Sequence, residues 1–301
     1  MTRGRLLGVA LAGLALAASA AAGQPMPGPD ACLAWPATFF PIDPEERRPR
    51  PGRPGEVVVP LAIHFMNADV PDSIRAAASA DDRDKIAPPG GRVHDVWTKP
   101  RVRQFFKSDG LVNDFLRALD VRAAVVHVEE CRYRPGRLRG DGRQVDWIFT
   151  PLASHAGARR LFEDVNVRYR FTETPAVDVY LWWGVNDGRP SLRGYGASKA
   201  KGGPAVWTDR ICALTDPETR LFDTPARCAQ LLAHEIGHAL TLRHVCKMTG
   251  GPRDPDADLD VGVCDVADTK WLMHPSFTGK RVSDEEKQQV RTFAVPFFVQ
   301  P

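Results

Sequence analysis

Three histidines and a glutamate crowd into one stretch, His234-Glu235-Ile236-Gly237-His238-Ala239-Leu240-Thr241-Leu242-Arg243-His244. On a helix, residues four apart lie one turn above each other, so His234 and His238 present both imidazoles to one point. Neutral imidazole nitrogen suits zinc, and two such ligands leave room for a third protein ligand and a water. Glu235 lies on the same turn but offset. A carboxylate there meets water at the metal and not the metal itself, which is the position a general base needs. His244, six residues past His238, can swing back as third ligand if the helix stops near Leu240 or Thr241 and the chain turns sharply. Otherwise a carboxylate is needed, and Asp254, Asp256, Asp258 and Asp260 are candidates.

The elements that must carry these residues are legible in outline. Asp223 or Thr224 can cap the histidine helix, Pro225 suits its first turn, and apolar positions continue to Leu242. Val57 to Met66 is a β-branched run that reads as a buried strand. Val102 to Leu119 reads as helical with a break at Asp109-Gly110, followed by a strand over Arg122 to Val128. A helix over Ser154 to Val167, a strand over Ala176 to Trp183 and a short strand at Ala205 to Thr208 follow. A last helix starts at Ser283, where Ser283-Asp284-Glu285-Glu286 forms a capping box. Strands alternating with helices, without internal repeats, predict one layered α/β domain.

Twenty-nine residues beyond His244 stands Met273, in Trp271-Leu272-Met273-His274-Pro275-Ser276-Phe277. With this stretch added to the histidines, the sequence resembles the metzincin clan of zinc endopeptidases, whose signature is HExxHxxGxxH followed by a tight turn containing methionine. The resemblance implies His234, His238 and His244 as zinc ligands, Glu235 as general base and acid, and Met273 as the methionine of the turn. Leu272 to Pro275 looks most like the matrixin form of that turn, which implies that Pro275 to Phe277 line a specificity pocket. Leu192 to Trp207 is similar to the family's loop and antiparallel edge strand, implying that Val206 and Trp207 help hold a peptide by strand addition. The implied architecture is a twisted mixed sheet with an antiparallel edge strand and an active-site helix, in an N-terminal subdomain over 56–244. A smaller irregular C-terminal subdomain over 245–301 ends in a helix. Two positions depart from family patterns. Some members place a zinc-binding tyrosine where this chain has Pro275, so no such ligand is implied, and the motif's glycine is replaced by Thr241. Glycine serves there because the chain leaves the helix through a conformation costly for residues with a Cβ.

Met1 to Gly23 combines a basic start, an apolar run from Leu6 to Ala18 and an A-x-A exit, the three parts of a secretory signal peptide. Export, secreted or periplasmic, is therefore expected. Removing residues 1–23 takes the formal charge from +3 to +1, which argues against nucleic-acid partners. A monomer is expected, without stable membrane insertion after processing. The expected partner is a peptide or protein substrate. Six cysteines (Cys32, Cys131, Cys212, Cys228, Cys246, Cys264) become three expected disulfides in an oxidising compartment, with Cys246–Cys264 the nearest local pair. Residues 24–55 are rich in proline and arginine and read as a linker, pro-segment or wrapped arm, in which Cys32 pairs or else blocks zinc.

The remaining features read first as ordinary structure. His64, His127 and His155 stand singly and read as core or surface histidines. Arg132, Arg134, Arg137, Arg139 and Arg143 form a solvated basic loop. Trp182 and Trp183 pack on opposite faces of one strand. The Asp254–Asp260 alternation lacks the EF-hand glycine and glutamate, leaving a calcium site of another kind as a second cofactor expectation. The rival to a zinc endopeptidase is an exported, non-catalytic zinc-binding module, in which Glu235 would have no purpose.

Overall fold

The structure of the chain, a computed structural model, describes residues 31–35, 42, 45, 48, 55–68, 97–133, 162–163, 165–182, 194–208, 225–245, 248–249, 263–264, 270–273 and 279–298. The protein is mixed α/β. Its main sheet has six strands: β1 (Ala31–Ala34), β2 (Val57–Ala68), β3 (Val121–Tyr133), β4 (Val177–Trp182), β5 (Gly194–Ala197) and β6 (Ala205–Thr208). Their order is β1-β3-β2-β4-β6-β5. The four central strands run parallel, and β1 and β5 close the two edges antiparallel. Helices α1 (Lys99–Phe106) and α2 (Leu111–Leu116) link β2 to β3, with the break between them falling at the expected glycine, Gly110. Helix α3 (Pro225–Ala239) carries the histidine motif, and α4 (Asp284–Phe298) is the terminal helix. A two-stranded ribbon, β7 (Met248–Thr249) with β8 (Val263–Cys264), lies between them in sequence.

Alternation along β2 sorts its side chains between two environments. Val57, Val59, Leu61, Ile63 and Phe65 join the main core. That core includes Phe105 and Phe106 of α1, Leu116 of α2, Leu231, Leu232 and Ile236 of α3, and Val290 and Ala294 of α4. Pro60 is unusual in a central strand because it cannot donate to a ladder. It stands beside the register shift at Leu61/Ala62, and β4 begins to pair with β2 only at Leu61, so Pro60 is flanked by a strand on one side alone.

The opposite side of β2 carries charge. His64 is fully buried; its Nδ1 donates to Glu129 Oε1 at 2.6 Å and its Nε2 donates to Asp178 Oδ1 at 2.8 Å. Asp178 also accepts the Phe171 N–H at 2.8 Å, and His127 Nε2 lies 3.1 Å from Glu129 Oε2. Tyr180 stacks on the His64 ring and gives its hydroxyl proton to Asn166. Both donors of His64 are thus satisfied only when the ring is an imidazolium. His64 and His127, which read singly in the sequence, belong to one network across β2, β3 and β4.

The proline-rich arm supplies an edge strand. Cys32 pairs in register with Cys131 of β3 and is disulfide-bonded to it, so it is engaged in the sheet. Cys228, in the first turn of α3, is disulfide-bonded as well. The leader over 1–23, most of 24–55, Cys212, Cys246 and with it the Cys246–Cys264 pairing, the Asp254–Asp260 run, His155 and most of the basic loop lie outside the described residues. Among the described residues, no helix is long and apolar enough to cross a membrane.

The buried network makes stability depend on pH. Burial alone would lower the His64 pKa, but hydrogen bonds and charge from Asp178 and Glu129 raise it from 6.5 to about 9. Burial opposes ionisation of Glu129, yet His127 and His64 bring it from 4.5 down to about 2. A raised histidine pKa stabilises the fold fully below pH 6.5, and that contribution is lost as pH rises through 9. The depressed Glu129 contributes above pH 4.5 and loses its contribution as pH falls through 2. Ring ¹⁵N shifts should therefore report His64 as imidazolium at neutral pH and deprotonating near pH 9; deprotonation near 6.5 would contradict the ion network.

Candidate metal centre

Helix α3 runs buried through the core, with Leu231, Leu232, Ala233, Ile236 and Ala239 on the sheet and neighbouring helices. Packing on that scale fixes its rotation, and so fixes where His234 and His238 point. The three Nε2 atoms form a near-equilateral triangle: His234 to His238 is 3.1 Å, His234 to His244 is 3.2 Å and His238 to His244 is 3.2 Å. His244 is thereby brought to the same point as the two helical histidines. The three residues can hold a metal ion.

The donor chemistry suits a transition metal that takes imidazole nitrogen, zinc among them. Nitrogens at this spacing are all reached at about 2.0–2.1 Å from one point, with angles of about 100° between them, close to tetrahedral. Tautomers are set from outside the triangle. His234 Nδ1 donates to the Leu272 carbonyl at 2.8 Å, and His238 Nδ1 donates to the Leu242 carbonyl at 2.8 Å. With the protons on Nδ1, the Nε2 lone pairs of both rings face inward, where a cation uses them.

His244 arrives through a tight reversal. The Thr241 N–H donates to His238 O at 3.0 Å and the Leu242 N–H donates to Gly237 O at 2.9 Å. These two bonds define a Schellman ending with Thr241 at the position that glycine or asparagine usually fills. Thr241 adopts φ +81°, so the left-handed conformation is kept despite a β-branched side chain. The geometry that glycine would give is retained, and the strain is carried locally.

Met273 lies below this turn. It is fully buried, and a Cβ on Gly237 would come within 2.7 Å of its Sδ, so the missing side chain at 237 makes room for the methionine. Successive carbonyls of the same turn hold both parts of the ligand set. Leu272 O takes the His234 proton, and Met273 O accepts the N–H of Val245, next to His244, at 3.4 Å. The turn is tied in place by Leu272 N–H to Arg281 O and by Arg281 N–H to Lys270 O, both 2.8 Å.

Glu235 is buried on the same helix, next to His234 in the chain. Burial pushes its pKa up from 4.5 to about 8, opposed by a hydrogen bond from the Gly196 N–H. Gly196 lies on β5, and a Cβ there would fall 1.9 Å from the Glu235 carbonyl oxygen. Only glycine allows the edge strand to approach the helix this closely. Gly196 had no motif to mark it, and in the four-residue stretch Gly194–Ala197 only Tyr195 favours a strand.

The substrate-side expectations need one correction. Val206 and Trp207 belong to β6, an interior strand, and both are buried. Val206 joins the main core, and Trp207 stacks between Phe162 and Tyr180. They cannot line a peptide, because the outer edge is β5. Pro275 and Phe277 lie outside the described residues.

No model of a known protein family matches this chain. No curated protein matches it either.

The strain at Thr241 yields a measurable expectation. Replacing Thr241 by glycine should stabilise the metal-free protein by about 1 kcal/mol, the relief of a left-handed β-branched residue less glycine's greater unfolded-state entropy. Urea unfolding checks this. A destabilised Thr241→Gly protein would mean that the turn does not bear the strain described.

Proposed function

We propose that the protein is an exported zinc endopeptidase of metzincin type. The observation that carries the proposal is the convergence of three imidazole nitrogens, with proton-bearing Nδ1 atoms turned outward on His234 and His238, and a buried carboxylate next to His234 in the chain. A purely structural metal site has no use for Glu235, so its position supports catalysis over a binding module. The participation of His244 in the triangle favours a three-histidine set over a carboxylate from 254–260.

His234, His238 and His244 would hold the metal through Nε2. Zinc, when bound, supplies a Lewis acid that polarises a peptide carbonyl and makes water a better nucleophile at neutral pH. Glu235 takes the proton of the attacking water and passes it to the leaving amine. The Gly196 N–H, on the last strand of the sheet, holds the Glu235 carboxylate in place. Because β5 ends the strand order, its outer backbone pairs with no described strand, and an extended peptide laid along it would run past Glu235. The close approach of Met273 to Gly237 is the arrangement expected of a methionine turn under the ligand helix. A calcium site among Asp254–Asp260 stays a separate proposal, tested by calcium dependence of thermal stability.

The test is to purify the mature protein, measure bound zinc and assay a mixed peptide library with wild type and Glu235→Gln. The expected outcome is zinc in both proteins and a cleavage rate lowered by about 10²–10⁴-fold in the variant, the usual worth of general acid–base catalysis. Cleavage that survives the substitution overturns the mechanism, and zinc without cleavage in wild type favours the binding module.

A further inference from the structure

We propose that Gln289, on the terminal helix, is a positioning residue for the metal centre: it holds the strained Thr241 turn and thereby fixes His244. The inference rests on the three-histidine site described above, and it assigns a role to a helix that contributes no ligand.

The peptide unit between Thr241 and Leu242 is planar, so its oxygen and its N–H move together. The N–H end is bonded to Gly237 O at 2.9 Å. The oxygen end faces away from α3, where a helix terminus leaves carbonyls without intrahelical partners. Gln289 Nε2 donates to it at 2.6 Å. The plane is thus gripped from both sides. Rotating it toward an ordinary backbone conformation would relieve the left-handed φ of +81° but break both bonds. It would also swing the Leu242 carbonyl away from His238 Nδ1 and displace His244 two residues later.

The grip is needed because Leu240 and Leu242 are buried in the main core while the carbonyl of Thr241 between them is met at the surface, by Gln289. Thr241 lines an open groove with Asp284, Glu285, Gln288, Thr292 and Phe293. The platform opposite is firm. Val290, next to Gln289, and Ala294 are fully buried, and the Ser283–Glu286 capping box fixes the start of α4. Arg291 and Lys287 reach Asp120 at 3.4 and 3.8 Å, anchoring α4 to the turn before β3. A glycine at 241 would hold the turn unaided, so the glutamine and the threonine form a compensating pair.

The test measures zinc affinity by competition with a chromophoric chelator on the purified full chain, with no reliance on activity. Gln289→Glu keeps side-chain length and helix propensity but offers only acceptors to the carbonyl. It should weaken zinc binding about three- to tenfold, the worth of one hydrogen bond. Gln289→Lys, which keeps an N–H donor, should bind zinc near wild-type strength. Combining Gln289→Glu with Thr241→Gly should restore affinity, a rescue that a general effect of α4 on stability would not give. Unchanged affinity in Gln289→Glu, or a double variant as weak as the single one, overturns the proposal. His244→Ala separates the two layers. If it weakens zinc binding while Gln289→Glu does not, only the positioning role falls. If it leaves affinity unchanged, the metal-site reading falls and this inference with it.

Discussion

The convergence of the three imidazoles depends on a chain reversal completed between His238 and His244. A helix that continued past Ala239 would carry His244 away from the two histidines above it, because six residues do not return a side chain to the same face. The reversal places Thr241 in left-handed backbone, and almost every other contact at the site secures that result. The Leu242 carbonyl it exposes fixes the ring of His238, the Met273 carbonyl holds the chain just beyond His244, and the methionine itself fills the space over Gly237. A marginal local conformation is thus stabilised by long-range structure, as strained residues near functional sites commonly are.

The sheet gives that reversal something rigid to act against. Its apolar side binds α3 through a continuous core, so hydrophobic burial places the helix that carries two of the three histidines. Its other side holds a buried imidazolium between two carboxylates, a choice that packs less simply than hydrocarbon but fixes three parallel strands in one register. Breaking one member would leave buried charge without a partner, which is costly in a low-dielectric interior. The Cys32–Cys131 bond attaches the arm to the end of β3 that carries Glu129 and Glu130. Covalent and ionic constraints therefore concentrate where the apolar core is thin.

Much of this was legible in the sequence wherever the signal was local. Pro225 and the 3.6-residue apolar period marked α3, Ser283 and Glu286 marked the start of α4, and β-branched runs marked β2, β4 and β6. The spacing of His234, His238 and His244 marked the ligand set. Signals that depend on pairing at a distance were silent. The strand read over Arg122 to Val128 continues through the polar Glu129-Glu130-Cys131-Arg132, because Glu129 meets His64, Glu130 meets Asn67 and Cys131 meets Cys32. Residues 31–34 lack any apolar period because an edge strand held by a disulfide does not need one. The outer strand was assigned to Val206 and Trp207, whose side chains favour strands. The outermost described strand, Gly194 to Ala197, has a glycine at 196 because it lies there against α3. Thr241 is instructive in the other direction, since a departure from a family pattern identified the position where the fold needed outside support.

In the proposed zinc site, three histidines and no other protein side chain bind the ion. X-ray absorption at the zinc edge of the metal-loaded protein tests this ligand set most directly. Three imidazole nitrogens with one oxygen at about 2.0–2.1 Å are expected. A sulfur scatterer near about 2.3 Å, or multiple-scattering features from fewer than three imidazoles, would contradict it.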